Sequence, residues 1–424
     1  MSIRQFLFIS SLVLTLQAQA QTPGKTTVSL NQALQAARSN LDVTLASHNL
    51  SAARADELSA NRSPFPSLTA KLGAMDLQNG IGGGSLLSEK RVDKSIGLDW
   101  TWERGNKREL RTLSARRNAD AAQADLEEVR TQQLLASYAG FFDLLTAQEK
   151  LQQITLIERS AAELAVSAQK RVRAGDLAAQ DLARTEIEAQ RAHSDVQMAE
   201  LDRQRAALVL RQLTGLSTPP AQLNAQPDWP ALSLHPTLPV DLNALVNERP
   251  DVRASQARML AAQAALDNSA AQKHSDITWG ASYDHYPGTS TALVELRMQM
   301  PLQWGYAYQG EIARASAQLA QAQDALEKTR RMATLELQRL EYEALSTAQR
   351  AQSYEADILP RARKVAEGAE LAYRKGALPL TDLLDARRTL RATLLDALSA
   401  RNDHAKAIGA LQLRTQPGVF AFSN

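Results

Sequence analysis

The sequence predicts a mainly α-helical chain with a small transmembrane β part, and three observations predict it. Four stretches of about ten residues alternate apolar and polar side chains, the length a tilted strand needs to cross hydrocarbon. Long segments rich in Ala, Leu, Gln, Glu and Arg, all good helix formers, accompany them. The whole order then occurs twice: helix, hairpin, long helix, turn, long helix.

Residues 1–20 read as a secretory signal. Arg4 precedes an apolar run from Phe6 to Leu16, and Ala18-Gln19-Ala20 forms a small-x-small cleavage site before Gln21. No later apolar run is long enough for a membrane helix. The protein is therefore expected to be exported and to enter a membrane, if at all, by strands. The first repeat is expected over 21–216, a Pro-rich connector over 217–239, the second repeat over 240–416 and a frayed tail over 417–424.

The strands are expected near 67–76, 94–103, 276–286 and 291–301. In the second, Ile96, Leu98, Trp100 and Trp102 fall on one face and Gly97, Asp99, Thr101 and Glu103 on the other. In the third, Trp279 shares its face with Ile277, Ala281 and Tyr283. In the fourth, Val294, Leu296 and Met298 do the same with Ala292 and Met300. Lipid is the expected neighbour of the apolar face, and charges such as Lys71, Glu295 and Arg297 belong to the wet one. A copper role for Met298 and Met300 is disfavoured by their place on the apolar face. Four strands cannot close a barrel and an open edge cannot stand in lipid, so several identical chains must share one barrel.

Between Pro66 and Pro219 no proline interrupts the chain. A helix from about residue 106 to 172 would be roughly 100 Å long, a rod that needs others beside it. Gly175 and Gly376, each preceded by basic residues, are natural helix stops that reverse the chain. The repeats share further landmarks: Asn40-Leu41-Asp42-Val43 matches Arg249-Pro250-Asp251-Val252, Gly105 matches Gly305, and Asp181-Leu182 matches Asp382-Leu383. In the connector, Leu223, Trp229, Leu232, Leu234 and Leu238 are placed to pack against the helices.

Charge is nearly balanced, with 48 basic and 46 acidic residues, so nothing suggests a nucleic-acid partner. The lack of cysteine removes disulfides, thiolate chemistry and a lipidated-cysteine anchor. The histidines at 48, 193, 235, 274, 285 and 404 form no ligand pair, and Gly82-Gly83-Gly84-Ser85 lacks the lysine of a phosphate loop. No enzyme, cofactor or metal site is expected.

With these motifs in order, the chain resembles the TolC family of outer-membrane efflux proteins over nearly all its mature length. Glu103-Arg104-Gly105-Asn106-Lys107-Arg108, and Met300-Pro301-Leu302 followed by Gln309-Gly310-Glu311-Ile312-Ala313-Arg314-Ala315, resemble the branch serving cobalt-zinc-cadmium pumps. The resemblance implies a homotrimer with a twelve-stranded barrel, continued through the periplasm by an α-helical barrel. It also implies a periplasmic adaptor and an inner-membrane pump of the resistance-nodulation-division class. The tips that dock the adaptor would be Arg173, Gly175, Asp176 and Leu177 with Arg374, Gly376 and Leu378; on their own residues these turns are also simple helix caps. The periplasmic gate would be Asp382 and Asp385, which lie on roughly one helix face and would form a carboxylate ring under threefold symmetry. Asp382 equally suits a helix N-terminus. Tyr373 and Asp181 match residues that tie neighbouring helices in the closed state, whereas Leu378 replaces the gating arginine of some relatives. Two alternatives stand beside the metal duct: a duct for organic compounds or protein, and a periplasmic coiled-coil scaffold without a pore.

Overall fold

A computed structural model describes residues 26–73, 78, 82–83, 92–232, 241–287 and 290–416. The expected signal segment, most of the first hairpin loop, Leu234, Leu238 and the tail lie outside these residues.

The first repeat opens with β1 (Thr26–Val28), α1 (Leu30–Ala37) and α2 (Leu41–Ala60). A capping box starts α1, with Ser29 and Gln32 each receiving the other's backbone N–H. The repeat continues through β2 (Ser67–Gly73), β3 (Asp93–Trp102), α3 (Lys107–Arg173) and α4 (Ala179–Thr214). In the connector, β4 (Leu223–Ala225) pairs parallel with β1. The second repeat has α5 (Leu242–Glu248), α6 (Pro250–Ala271), β5 (Ile277–Tyr286), β6 (Ser290–Gln299), α7 (Gln309–Ser353), α8 (Leu359–Arg374) and α9 (Leu380–Thr415). The four strands and the long helices lie within or beside the expected ranges, residues 74–76 of the first strand falling outside the described residues. Asn40 and Arg249, expected within helices, instead cap the starts of α2 and α6.

The two long helical hairpins differ in one respect that the sequence reading missed. The rod of α3 is unbroken over 67 residues, but a π-helical turn, Tyr354–Ile358, separates α7 from α8 just before Pro360. Proline has no N–H to offer the helix ladder, and one turn of wider winding lets the rod continue past it.

The sheet order is β2-β3-β5-β6, antiparallel throughout. The register stacks like with like across all four strands. Leu68, Leu98, Ala281 and Leu296 form one row; Ala70, Ile96, Tyr283 and Val294 form the next; Trp100, Trp279 and Met298 form a third. The pattern lapses at the far end, where Leu72 aligns with Lys94 and His285.

The main core sits at the join between the repeats. Phe141, Phe142, Leu144 and Leu145 of α3 are buried against Leu34, Leu210, Leu223, Ala405 and Leu413. Trp229 of the connector packs on Phe142 with ring centroids 5.4 Å apart, and its indole N–H donates to Glu149 at 2.7 Å. Arg401 lies 4.9 Å above the same indole. The expectation that connector apolar residues pack on the helices holds for Leu223 and Trp229.

Tyr138 lies directly on Gly409, where a methyl group would collide with its ring. Gly409→Ala should therefore cost about 1–3 kcal/mol by overpacking. Gly368→Ala, in a helix with nothing within 4 Å of the added carbon, should be neutral or gain about 0.5–1 kcal/mol. Denaturant unfolding of the two variants checks the contrast.

Candidate functional site

Three regions are candidates for function: the exposed sheet, the tips of the helical hairpins and the join that holds them together. The apolar sheet face is uncovered. Its exposures run from 40% at Trp279 to 82% at Leu296, with Ile96, Leu98, Trp100, Trp102, Val294 and Met298 between. The opposite face is a polar network. Asp99 receives Thr69 at 2.6 Å and Arg297 at 2.7 Å, and Arg297 also approaches Glu295 at 3.6 Å. Gly280 stands beneath the Asp99–Arg297 pair, where a methyl would displace it. A surface this apolar, registered over four strands, is stable against hydrocarbon rather than water.

Both tips close with the same hydrogen bonds. After α3, Gly175 N–H donates to the Val172 carbonyl at 3.0 Å and Asp176 N–H to that of Arg171 at 2.8 Å. After α8, Gly376 donates to Tyr373 at 3.0 Å and Ala377 to Ala372 at 2.9 Å. Gly175 and Gly376 have φ of 82° and 72°, the left-handed conformation that this cap requires. Arg173, Asp176 and Arg374 are exposed, and Leu177 and Leu378 are half-buried. Arg374 donates to Glu370 at 2.6 Å. Lys170, Arg173 and Lys375 have no acidic partner among the described residues, so the tips are basic.

Just beyond the second tip, helical period separates two faces of α9. Leu380, Leu383 and Leu384 turn inward onto Leu164, Ala369 and Tyr373. Asp382 and Asp385 are left exposed; Asp382 receives the Thr381 hydroxyl at 3.2 Å and Asp385 lies 3.5 Å from Arg388. Within the chain Asp181 faces Arg184 at 3.8 Å and is not brought to Tyr373. Tyr373 instead receives a 3.1 Å hydrogen bond from Arg171, whose guanidinium lies 5.5 Å over the ring. That contact joins α3 to α8. Arg388–Glu188 at 3.4 Å and Arg391–Asp195 at 2.6 Å join α9 to α4.

The motif Arg249-Pro250-Asp251 proves to be part of a buried ion network. Arg249 is 4% exposed and donates to Asp251 and Glu336, each at 2.7 Å. Arg414 completes it, donating to Glu128 at 2.9 Å and approaching Glu336 at 3.3 Å. Four helices, α3, α6, α7 and α9, are thereby tied at the join. In the first repeat Asn40 plays the shorter version, donating to the Gln212 and Leu213 carbonyls at the end of α4. Burial would raise the Asp251 carboxyl, but hydrogen bonding and charge from Arg249 hold it below the usual carboxylate range.

The described residues combine an amphipathic sheet, apolar on its uncovered face, with paired helical rods. Known proteins share that arrangement. The outer membrane efflux protein family model matches residues 30–216, the first repeat to just beyond the end of α4. The cobalt-zinc-cadmium resistance protein CzcC of Cupriavidus metallidurans is 28% identical over 295 residues, 68% of each chain. The outer membrane channel CmeC of Campylobacter jejuni superposes with a TM-score of 0.78 at 16% identity, covering 92% of this chain and 86% of that one. CusC superposes at 0.71 and 18% identity, covering 94% and 95%. The resemblance read from the motifs is borne out: the first repeat matches the outer membrane efflux protein family, the chain is similar to the resistance protein CzcC, and it shares the fold of CusC and CmeC.

Replacing Arg249 by Ala leaves Asp251 and Glu336 facing a vacated partner and should cost roughly 3–5 kcal/mol. The depressed Asp251 carboxyl contributes stability that is present above the ordinary carboxylate range and lost as the pH falls through its folded value. Acid titration of unfolding should thus show a loss below about pH 4 in wild type, and a smaller one in Arg249→Ala.

Proposed function

We propose that this chain is the outer-membrane exit duct of a tripartite efflux system, a passive homotrimer that exports heavy-metal cations. The protein is exported by its N-terminal signal and carries no cysteine for lipid attachment. Three copies of the four-stranded sheet close one twelve-stranded barrel, and their helical hairpins extend it as a periplasmic tunnel. The observation that carries this reading is a lipid-suited sheet whose outer edges, β2 and β6, are unpaired among the described residues and joined to rods of up to 67 residues. A scaffold without a pore would have no use for such a sheet.

The basic tips around Arg173, Gly175, Asp176, Leu177, Arg374, Gly376 and Leu378 suit a periplasmic adaptor, which couples the duct to a resistance-nodulation-division pump. Energy comes from the pump; the duct supplies a wet path and a gate. Asp382 and Asp385, exposed on one face of α9, become a ring of six carboxylates in the trimer that attracts cations and disfavours anions. Arg171 on Tyr373 holds the two hairpins of each subunit together where Leu378 cannot. The similarity to a cobalt-zinc-cadmium resistance protein favours metal cations as cargo.

Single-channel conductance in a planar bilayer tests the reading, comparing wild type with the Asp382→Ala, Asp385→Ala double variant. Wild type should conduct weakly, prefer cations and be blocked by divalent ions on the periplasmic side; the double variant should lose both preference and block. Arg171→Ala should raise the wild-type conductance. Failure of folded protein to insert would refute the duct. Insertion with identical behaviour in the double variant would place the constriction elsewhere.

A further inference from the structure

The turn where strands give way to helices occurs twice in the chain, but only one copy has its partner. After β3, the turn at Gly105 packs on the segment that enters β5. Arg104 N–H and the Lys107 ammonium both reach Asp276, at 3.0 and 2.8 Å. A methyl group built on Gly105 would lie 2.8 Å from the His274 ring and 3.2 Å from the Ala271 carbonyl oxygen. After β6, the corresponding turn at Gly305 leaves its strand with the same positive φ, 78° against 74°. Nothing stands within 4 Å of a carbon built there. Leu302 and Trp304 beside it are 65% and 86% exposed.

The segment that should fill this space is present in the sequence, at the other edge of the sheet. The spacing of 209 residues that takes Asn40 to Arg249 also takes Phe65 to His274 and Thr69 to Thr278 without a gap. Phe65 is therefore the counterpart of His274, and it is 83% exposed. It precedes β2 as His274 precedes β5. Within one chain Phe65 and Gly305 belong to opposite edges of the sheet. Antiparallel pairing of one copy's β6 with the next copy's β2 brings the residues after the former beside those before the latter, as happens between β3 and β5.

We infer that Phe65 of one subunit seats on the Gly305 turn of the next, covering Trp304 and Leu302, and that this contact repeats between subunits the one His274 makes on Gly105 within the chain. The inference rests on the trimeric reading above. The partner is a second copy of this chain, selected by complementary open edges and by the exposed aromatic rings. Nothing comparable to Asp276 stands before β2, where Ser67 occupies its position. The contact between subunits is thus the more apolar of the two.

The chain contains no cysteine, so a single engineered pair reports the contact directly. Protein carrying Phe65→Cys with Trp304→Cys, purified in detergent and treated with a short bismaleimide, should give covalent dimers and trimers on a denaturing gel. Mixed single variants, one copy with Phe65→Cys and another with Trp304→Cys, should give dimers. Phe65→Ser should lower the temperature at which the trimer dissociates in detergent, while Leu72→Ser, far along β2, should lower it less. A trimer with no covalent ladder, and equal dissociation temperatures for the two serine variants, would overturn the contact and leave the duct standing. Protein with no trimer at all would overturn both.

Discussion

The structure depends on one unmet requirement: a four-stranded amphipathic sheet whose outer edges must find partners. Backbone groups at an edge in lipid have no water to fall back on, so a sheet placed there needs further strands at both edges. The register shows how far the chain is committed to that outcome. Rows such as Leu68, Leu98, Ala281 and Leu296 place every lipid-facing side chain on one surface, and the opposite surface is satisfied internally through Asp99, Thr69 and Arg297. A one-residue slip of any strand would bring these charges into lipid.

The strands, the long helices and the tips were legible in the sequence because each rests on a local signal. Alternation with period two needs only neighbours in sequence, and a left-handed cap needs only glycine after a basic last turn. What escaped was short or distant. The β1 and β4 strands have three residues each, too few for any pattern to show. The π turn had a signal in Pro360, but proline alone does not say whether a helix kinks, ends or winds wider. The network at the join brings together Arg414 and Glu128, separated by 286 residues, and Arg249 and Glu336, separated by 87. Arg249 stood out as a repeated landmark, yet its partners lay on other helices. The Arg171–Tyr373 contact, across 202 residues, was hidden in the same way.

The duplication then has a physical meaning beyond homology of halves. Each repeat supplies one hairpin of strands and one helical hairpin. Equivalent positions do equivalent work with different chemistry: Asn40 caps a helix and reaches two carbonyls, while Arg249 reaches two carboxylates. Likewise His274 packs on the Gly105 turn within the chain, whereas its counterpart Phe65 is exposed. Contacts made at folding can afford charge because their partners are always present. Contacts made only on assembly must tolerate a period in water, which neutral aromatic groups do without leaving a buried charge unpaired.

The same difference in chemistry runs along the rods. At the join, a dry aromatic core and a buried ion network hold α3, α6, α7 and α9 in one arrangement. Near the tips the two hairpins meet through Arg388 with Glu188, Arg391 with Asp195, and Arg171 over Tyr373, contacts made by long, partly exposed side chains. Such ion pairs contribute about 0–1 kcal/mol each, and beside them the buried leucines Leu380, Leu383 and Leu384 of α9 pack on Leu164 of α3. That apolar contact holds α9 against the first hairpin and leaves Asp382 and Asp385 on its exposed face. The join is thus held by aromatic rings and buried ions, and the tips by a small leucine cluster rimmed with exposed ion pairs.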